Sequence, residues 1–298
     1  MGSATAGFRH ILCPVDFSPD SRRALRQAGA LAEQCGAKLT VLTVNDPMLA
    51  AALAAATHDP WRLDATTATE LRRFVSSALG PVGAKAALKV VLGRPPDQIE
   101  RTAQLQKVDL VVMGTHGLSG PKKWFFGSTT ESLFRRSKVP VLAVPARGRG
   151  SSRHPYRFSG ETFLAPIELD GTDRSEIRRV MDVVHRFGAK ALFLHVVKPA
   201  QAPSWLAGKA GAVDRHRVEE ARTRIRQLVA PSMARTRVVS GDPVKQIEQA
   251  AVSVDARAIV MTLKGHAPFG PRRGSITYRV VCSGVAAVLA LPPERGPR

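Results

Sequence analysis

The amino-acid sequence predicts an α/β protein made of two tandem doubly wound, Rossmann-like domains, each with a mainly parallel five-stranded sheet. Short β-branched runs alternate with longer helical patterns along the chain, and the first half of the chain recurs in the second. The apolar runs also lack the strict alternation of a half-exposed strand. Such runs are typical of parallel strands that helices cover on both faces of the sheet.

The internal repeat divides the chain into two domains. Four blocks of the first half recur in the same order in the second, which points to duplication of one unit. The stretch 147–161 between the copies is rich in Gly, Ser and Arg and has no apolar period, so we expect a solvated linker. The predicted domains are therefore residues 1–146 and 162–298. The matched blocks are 10–25 with 162–177, 35–47 with 187–199, 90–100 with 238–248, and 139–145 with 286–292.

The elements of the first copy alternate between strand and helix in chain order. The first helix is predicted to begin at Ser18, because its hydroxyl can cap the helix and because Pro19 and Asp20 suit a first turn. An alanine-rich stretch, 48–61, begins the connection after the second strand, and we expect it to cover the ligand side of the sheet. The strands are predicted at 11–15, 38–44, 88–92, 110–113 and 141–144, and the named helices at 18–33, 96–106 and 129–136.

Composition excludes several classes of protein. The chain has 298 residues, 44% of them hydrophobic, which is unlike a disordered or collagen-like chain. Three cysteines are too few for a disulfide framework, and neither a CxxC pair nor an HxH or HExxH spacing suggests a metal site. Because no apolar run is long enough to cross a bilayer and residues 1–10 have no apolar signal core, we expect a cytoplasmic protein without a membrane partner.

A glycine-rich loop follows the fourth strand. It reads GTHGLSGPKKWFFGSTTESLF, in which Gly127 directly precedes Ser128. Glycines allow the backbone to approach an anion closely, and hydroxyl residues at a helix start add donors to its unpaired amides. In doubly wound sheets, ligands bind beyond the carboxyl ends of the strands, where the winding reverses. The loop is neither a Walker A motif nor a GxGxxG fingerprint, so it indicates either a phosphate cradle or a surface loop.

The spacing of this loop resembles the nucleotide-binding signature of the universal stress protein family. Gly114, Gly117 and Gly127 are separated by two and nine residues, and Ser128 follows. Asp16 at the close of the first strand, the second strand GAKLTVLTV and the last strand VPVLAVP are also similar to that family. The resemblance extends over nearly the whole chain as two tandem copies.

The resemblance implies a site for ATP or a related adenine nucleotide, with or without Mg²⁺, in the first domain. Asp16 would accept hydrogen bonds from the ribose hydroxyls, although the same carboxylate could instead support the helix that starts at Ser18. Val44 would offer backbone contacts to adenine, and the glycine loop would surround the phosphates. The implied site residues are Pro14, Val15, Asp16, Val44, Met113, Gly114, His116, Gly117, Gly127, Ser128, Thr129 and Thr130.

The second copy departs from the signature at its ligand side. Glu168 stands at the position of Asp16 and Thr262 at the position of Gly114, and the loop after Thr262 is one residue shorter and richer in proline. A side chain at Thr262 should narrow a pocket that depends on close backbone approach. We therefore expect a degenerate second site and a domain that acts as a partner or regulator of the first.

The final strands of the two copies, 139–144 and 286–291, are similar to the dimerising edge strands of the family. We expect them to pair within one chain as an intramolecular pseudo-dimer, which would cover both edges and still permit two chains to associate. The resemblance implies a stress-response signalling or regulatory module whose nucleotide-bound state an unidentified protein partner would recognise.

Two alternative functions stay open at this stage. One is a weak ATPase or an autophosphorylating enzyme that uses Ser128 or Thr129 as phosphoryl acceptor, although no catalytic base or metal cluster is evident near the loop. The other is a nucleotide-independent basic protein that binds nucleic acid or protein, since the formal net charge is +20. The charge is spread over both halves and no nucleic-acid-reading motif is present, so specific nucleic-acid binding is not expected.

Overall fold

A computed structural model describes most of the chain. The described residues are 7–57, 62–115, 127–146, 155, 157–200, 207–230, 232–263 and 275–293. The strands are β1 His10–Pro14, β2 Lys38–Asn45, β3 Ala87–Leu92, β4 Leu110–Gly114, β5 Val141–Val144, β6 Thr162–Pro166, β7 Lys190–Val197, β8 Arg235–Ser240, β9 Ala258–Thr262 and β10 Ala287–Leu291. The helices are α1 Pro19–Cys35, α2 Pro47–Thr57, α3 Arg62–Leu79, α4 Pro95–Leu105, α5 Ser128–Arg136, α6 Arg174–Arg186, α7 Ala207–Leu228, α8 Pro243–Ser253 and α9 Ile276–Ser283, with a 3-10 turn at Gly80–Lys85.

The ten strands found among the described residues form one sheet in the order β3-β2-β1-β4-β5-β10-β9-β6-β7-β8. Within each half the neighbouring strands are parallel, and the chain reverses its winding between β1 and β4 and again between β6 and β9. The fold class predicted from the sequence is confirmed. The two halves repeat the same strand order, as the internal repeat requires.

The antiparallel pair of β5 and β10 joins the two halves at the middle of the sheet. Leu142 lies opposite Leu289, and all residues of both strands are buried. The expected pairing of the two final strands within one chain is therefore confirmed. Each strand pairs with backbone groups that the other would otherwise expose at the edge of its half-sheet.

Phenylalanines pack between the two halves of the chain. They lie near the amino ends of β1 and β6, away from the strand ends Pro14 and Pro166. Phe8, Phe158, Phe163 and Phe187 are all buried, and their rings pack edge-on or tilted at centroid distances of 4.7–5.2 Å. The guanidinium of Arg186 stacks over Phe8 and pairs with Asp109 of the first half. Phe158 belongs to the predicted linker stretch, but its ring is part of this core.

The first helix of each half begins differently. Ser18 caps α1, with its hydroxyl accepting a hydrogen bond of 3.1 Å from the amide of Ser21. In the second half the matching position is Asp170, yet α6 is capped by Asp173, three residues later. The first turn of α1 thus has no helical counterpart in α6, and this difference reshapes the ligand side of the second half.

The connection from β2 to β3 contains two helices, α2 and α3, whereas the sequence pattern predicted only that this connection begins with an alanine-rich stretch.

No helix in the described part of the chain is long and apolar enough to span a membrane. The same residues contain no group of three or more His, Cys, Asp or Glu side chains placed to hold a metal ion.

Candidate functional site

The candidate site lies where the winding of the first half reverses, at the carboxyl ends of β1 and β4. These two strands are hydrogen-bonded neighbours, with Leu12 opposite Val111. Pro14 therefore ends one strand beside the strand that Gly114 ends. Val44 lies near the end of β2, which pairs with the other side of β1. The fold thus brings to one edge residues that are far apart in the sequence.

Asp16 links the end of β1 to the start of α1. Its Oδ1 accepts hydrogen bonds from the amide of Ser18 at 3.1 Å and from the Ser18 hydroxyl at 2.6 Å. Ser18 in turn caps the helix. The half-buried carboxylate of Asp16 therefore supports the cap without being the cap itself, so the helix-supporting role considered from the sequence is present in the structure.

Phe17, between Asp16 and the cap, has a left-handed backbone with φ of 63°. This conformation is uncommon for a residue with a side chain and is found most often in sites where the surroundings hold it in place. The Phe17 ring packs edge-on against the Phe74 ring of α3, with the ring centroids 5.4 Å apart. The guanidinium of Arg22 of α1 stacks over the same Phe74 ring, 4.2 Å from its centroid. Side chains of two helices thus hold the sharp turn after β1.

Gly114 is in close backbone contact with α1. A Cβ atom placed on Gly114 would lie 3.0 Å from the carbonyl carbon of Asp20 and 3.1 Å from its oxygen. These are backbone atoms of the first turn of α1, and they cannot rotate aside as a side chain can. Glycine at this position lets β4 and the first turn of α1 approach each other.

Helix α5 is tied to β4 through Thr130. The buried Thr130 hydroxyl donates to the carbonyl oxygen of Gly114 at 3.0 Å, and the amide of Gly127 donates to the carbonyl of Thr115 at 2.9 Å. The Thr130 hydroxyl therefore positions the helix. Ser128, at the first helical position, is exposed.

The N-terminus of α5 carries no side-chain cap, because its N-cap residue is Gly127. The first amides of a helix are unpaired within the helix and carry partial positive charge, so an uncapped start is suited to an anion. Since Thr130 holds this helix start beside Gly114, the uncapped helix start and the strand ends lie together at one edge of the sheet.

Two predicted site residues, His116 and Gly117, lie outside the described residues. The others all lie at or next to the ligand edge of the first half. Val15 and Met113 are buried there, and the amide of Val15 is used in a 2.8 Å hydrogen bond to the carbonyl of Leu42. Neither a metal nor a catalytic base was predicted among these residues.

Sequence reasoning missed Asn45 at the end of β2. Its side chain donates to Asp64 at 2.7 Å and accepts from the Thr67 hydroxyl at 3.1 Å, so it holds the start of α3 against the ligand edge. The carbonyl of Asn45 also accepts a hydrogen bond from Gly93 after β3. The only signal in the sequence was a polar residue that ends an apolar strand.

Comparison with known proteins identifies the family. The model of the universal stress protein family matches residues 7–145 and again 161–292. The chain belongs to the universal stress protein family. The two matches show that it carries the family domain in tandem, as the sequence predicted.

Two curated universal stress proteins match less than half of this chain, and a solved structure covers nearly all of it. A universal stress protein of Thermus aquaticus is 32% identical over 141 residues, which are 46% of this chain and 98% of that protein. Universal stress protein MJ0577 of Methanocaldococcus jannaschii is 36% identical over 70 residues, which cover 24% of this chain and less than half, 43%, of that protein. A solved universal stress protein of Archaeoglobus fulgidus covers 97% of this chain and 98% of its own with a TM-score of 0.63 and 18% identity, a likeness of fold.

The second universal stress protein domain has a different ligand edge. Thr262, at the position of Gly114, has room for its side chain because α6 begins one turn later than α1. Its hydroxyl donates to Glu176 at 2.5 Å. Glu168, at the position of Asp16, is exposed. The Thr262 substitution and the later start of α6 are thus linked by the hydrogen bond to Glu176.

Proposed function

We propose that the first domain binds ATP or a related adenine nucleotide and that the bound state acts as a signal in the cytoplasmic stress response. The observation that carries this proposal is the uncapped start of α5, fixed beside the close approach of Gly114 to α1. Together they provide a backbone cradle for phosphate at the edge where doubly wound domains bind ligands.

The residues present fit a nucleotide at this edge. Gly127, Ser128 and Thr129 would offer backbone amides and hydroxyls to the phosphates, while Met113 and Gly114 would flank the nucleoside. The Asp16 carboxylate, already accepting hydrogen bonds from Ser18, would accept others from the ribose. This mode of binding would use the ends of β1 and β4 and the start of α5, which the Thr130 hydroxyl holds beside Gly114.

A bound nucleotide would supply its phosphates as the ligands for any Mg²⁺. Mg²⁺ is commonly held in proteins by substrate phosphates, waters and one or two carboxylates. The described residues offer no carboxylate cluster that would hold the ion without them. We therefore expect Mg²⁺ to enter with the nucleotide and not before it.

The signal would be read by a protein partner through the surface around the site. The α2 and α3 connection borders the same edge, since Asn45 fixes the start of α3 there. Association of two chains would provide a second way to control whether the partner binds. Ligand binding that orders the edge would change the surface offered to such a partner.

Analysis of the nucleotide that copurifies with the protein tests the proposal directly. The protein is denatured, and the released nucleotide is identified by mass spectrometry and quantified against the chain. We expect about one adenine nucleotide per chain, with loss of it in Asp16→Ala and Gly114→Ala variants. A Glu168→Ala variant is the matched control in the second domain and should keep it.

Two other results would overturn parts of the proposal. Two nucleotides per chain would contradict the degenerate second site. No released nucleotide, together with no heat of ATP binding in calorimetry, would exclude the nucleotide function and favour a nucleotide-independent interaction protein.

A further inference from the structure

A cavity of about 560 Å³ opens at the ligand edge of the second domain. It lies beyond the ends of β6, β7 and β9, and the start of α9 borders it. Its volume is within the range of small-molecule sites, about 300–1,000 Å³. The side-chain changes in this domain have therefore not filled the space between the strand ends.

The apolar end of this cavity is nearly unchanged from the first domain. Four of its lining residues stand at positions where the first domain has an identical or similar residue. They are Pro166, Ile167, Val196 and Met261, which match Pro14, Val15, Val44 and Met113. A site that keeps these residues keeps apolar walls against which a heterocyclic ring can pack.

The opposite end of the cavity, at β9 and α9, no longer suits a phosphate. The Glu176 carboxylate lines it and accepts the hydrogen bond from Thr262, so a negative charge lies beside the position that matches Gly114. Ser275 caps α9, with its hydroxyl accepting from the amide of Tyr278 at 3.2 Å. One amide that an anion would use is thereby already paired, whereas α5 has no side-chain cap.

The cations that line the cavity do not restore a phosphate site at this end. Arg135, contributed by α5 of the first domain, is paired with Glu131 on its own helix. Lys198 is exposed and follows β7. Since β6 lies between β7 and β9, Lys198 is about 10 Å across the sheet from Thr262.

His195 supplies a polar group near the apolar end. Its Nδ1 lies 3.0 Å from the carbonyl oxygen of Ile167, and because a carbonyl only accepts, Nδ1 donates. In the neutral ring the other nitrogen, Nε2, is then an acceptor. The cavity thus combines apolar walls, one imidazole and the two carboxylates Glu168 and Glu176.

We propose that the second domain binds a phosphate-free small molecule of nucleoside size, with a planar heterocycle and hydroxyl or amino donors. The ring occupies the apolar end, and its donors meet the carboxylates and His195. The site discriminates against phosphate esters because a phosphate would lie beside Glu176. This proposal goes beyond nucleotide binding in the first domain and does not depend on it.

Calorimetry with adenosine and AMP as probes tests the proposal on the full chain. Titrations are made with and without saturating ATP. In the titration with ATP, the first domain is occupied and does not contribute to adenosine or AMP binding. With ATP present, we expect adenosine to bind at one site per chain and AMP to bind at least tenfold more weakly. A Val196→Trp variant, which fills the apolar end, should lose the adenosine binding that is measured with ATP present.

A charge variant tests the phosphate discrimination without altering the shape of the site. Glu176→Gln keeps an oxygen that accepts from Thr262 and removes the negative charge, so AMP affinity should rise at least threefold. Glu220→Gln, the same change on the exposed face of α7, should leave AMP affinity as it is. Circular dichroism and thermal unfolding verify that each variant is folded.

Three results would overturn the proposal. These are no adenosine binding in the presence of ATP, equal affinity for adenosine and AMP, or adenosine binding that Val196→Trp leaves unchanged. If ATP itself fails to bind, the nucleotide function of the first domain fails. Adenosine binding that Val196→Trp abolishes would then still support the second site.

Discussion

Replacing Gly114 by alanine is the sharpest test of how the first site is built. The added Cβ would lie 3.0 Å and 3.1 Å from backbone atoms of Asp20. Carbon atoms pack best at about 3.5–4.0 Å, so β4 and the first turn of α1 must separate by roughly 0.5 Å. Overpacking of this kind costs about 1–3 kcal/mol of unfolding free energy. The movement also displaces Ser18, and with it the Asp16 carboxylate.

We expect Gly114→Ala to unfold at lower temperature and to bind ATP at least tenfold more weakly. Each kcal/mol lost corresponds to about 2–4 °C in Tm for a chain of this size class. Thermal unfolding by circular dichroism and ATP titration by calorimetry measure the two effects. They should change together, because one displacement causes both.

The matched control is Gly211→Ala in α7. A Cβ on Gly211 would meet only the end of Arg215, at 3.7 Å, and alanine is the better helix former by about 0.8–1 kcal/mol. This variant should be as stable as the natural chain or more so. If Gly114→Ala matched it in both stability and ATP affinity, the argument from close backbone approach would be refuted. If Gly114→Ala lost stability but kept its ATP affinity, Gly114 would not contribute to ATP binding.

Three further predictions follow from buried polar groups. Burial raises the pKa of the Cys13 thiol, so a thiol reagent should label Cys13 only in denaturant, while the partly exposed Cys35 should react in the folded protein. Burial lowers the pKa of His10 below its ordinary value of about 6.5, so the unfolded chain takes up a proton there that the folded chain resists. The free energy of unfolding should therefore fall as the pH drops below about 6.5, and His10→Gln should reduce that dependence in urea titrations. Thr130→Val should cost about 1–3 kcal/mol in the same titrations, because it leaves the buried Gly114 carbonyl without its hydrogen bond.

Each of these outcomes has a result that would contradict it. Labelling of Cys13 at the rate of Cys35 in the folded protein would show that β1 opens readily. An unchanged pH dependence in His10→Gln would assign the acid sensitivity to other groups. If Thr129→Val, next along the helix, cost as much as Thr130→Val, the hydrogen bond to Gly114 would not be the cause.

The sequence predicted the strands well because each is an apolar run that ends in a turn signal. The predicted strand 110–113 differs by one residue from β4, and the prediction of a helix start at Ser18 agrees with its role as the cap. The alternation of elements predicted a doubly wound parallel sheet, and the structure shows that its winding reverses between β1 and β4. These features depend on local patterns and on general rules for parallel sheets.

Other parts of the site depend on contacts that a sequence does not show. The spacing of the glycine loop indicated that Gly114 mattered, but only the fold shows that its neighbour is the backbone of Asp20. The Thr130 hydroxyl was assigned to the phosphate side, and the fold directs it to a carbonyl. Asn45 and the left-handed Phe17 owe their roles to α3, which lies far along the chain.

Helix α5 touches both ligand edges. Its first residues, Ser128 and Thr129, lie at the end of the helix that is held beside Gly114, while Phe134 and Arg135 near its other end line the cavity of the second domain. The antiparallel pairing of β5 and β10 explains this, because the carboxyl edges of the two half-sheets point in opposite directions. Nine helical residues span about 13 Å, a short rod with little capacity to bend. A ligand that shifted one end of this helix would therefore also shift a wall of the other cavity, and thermodynamic linkage would make any such coupling of binding affinities equal in both directions.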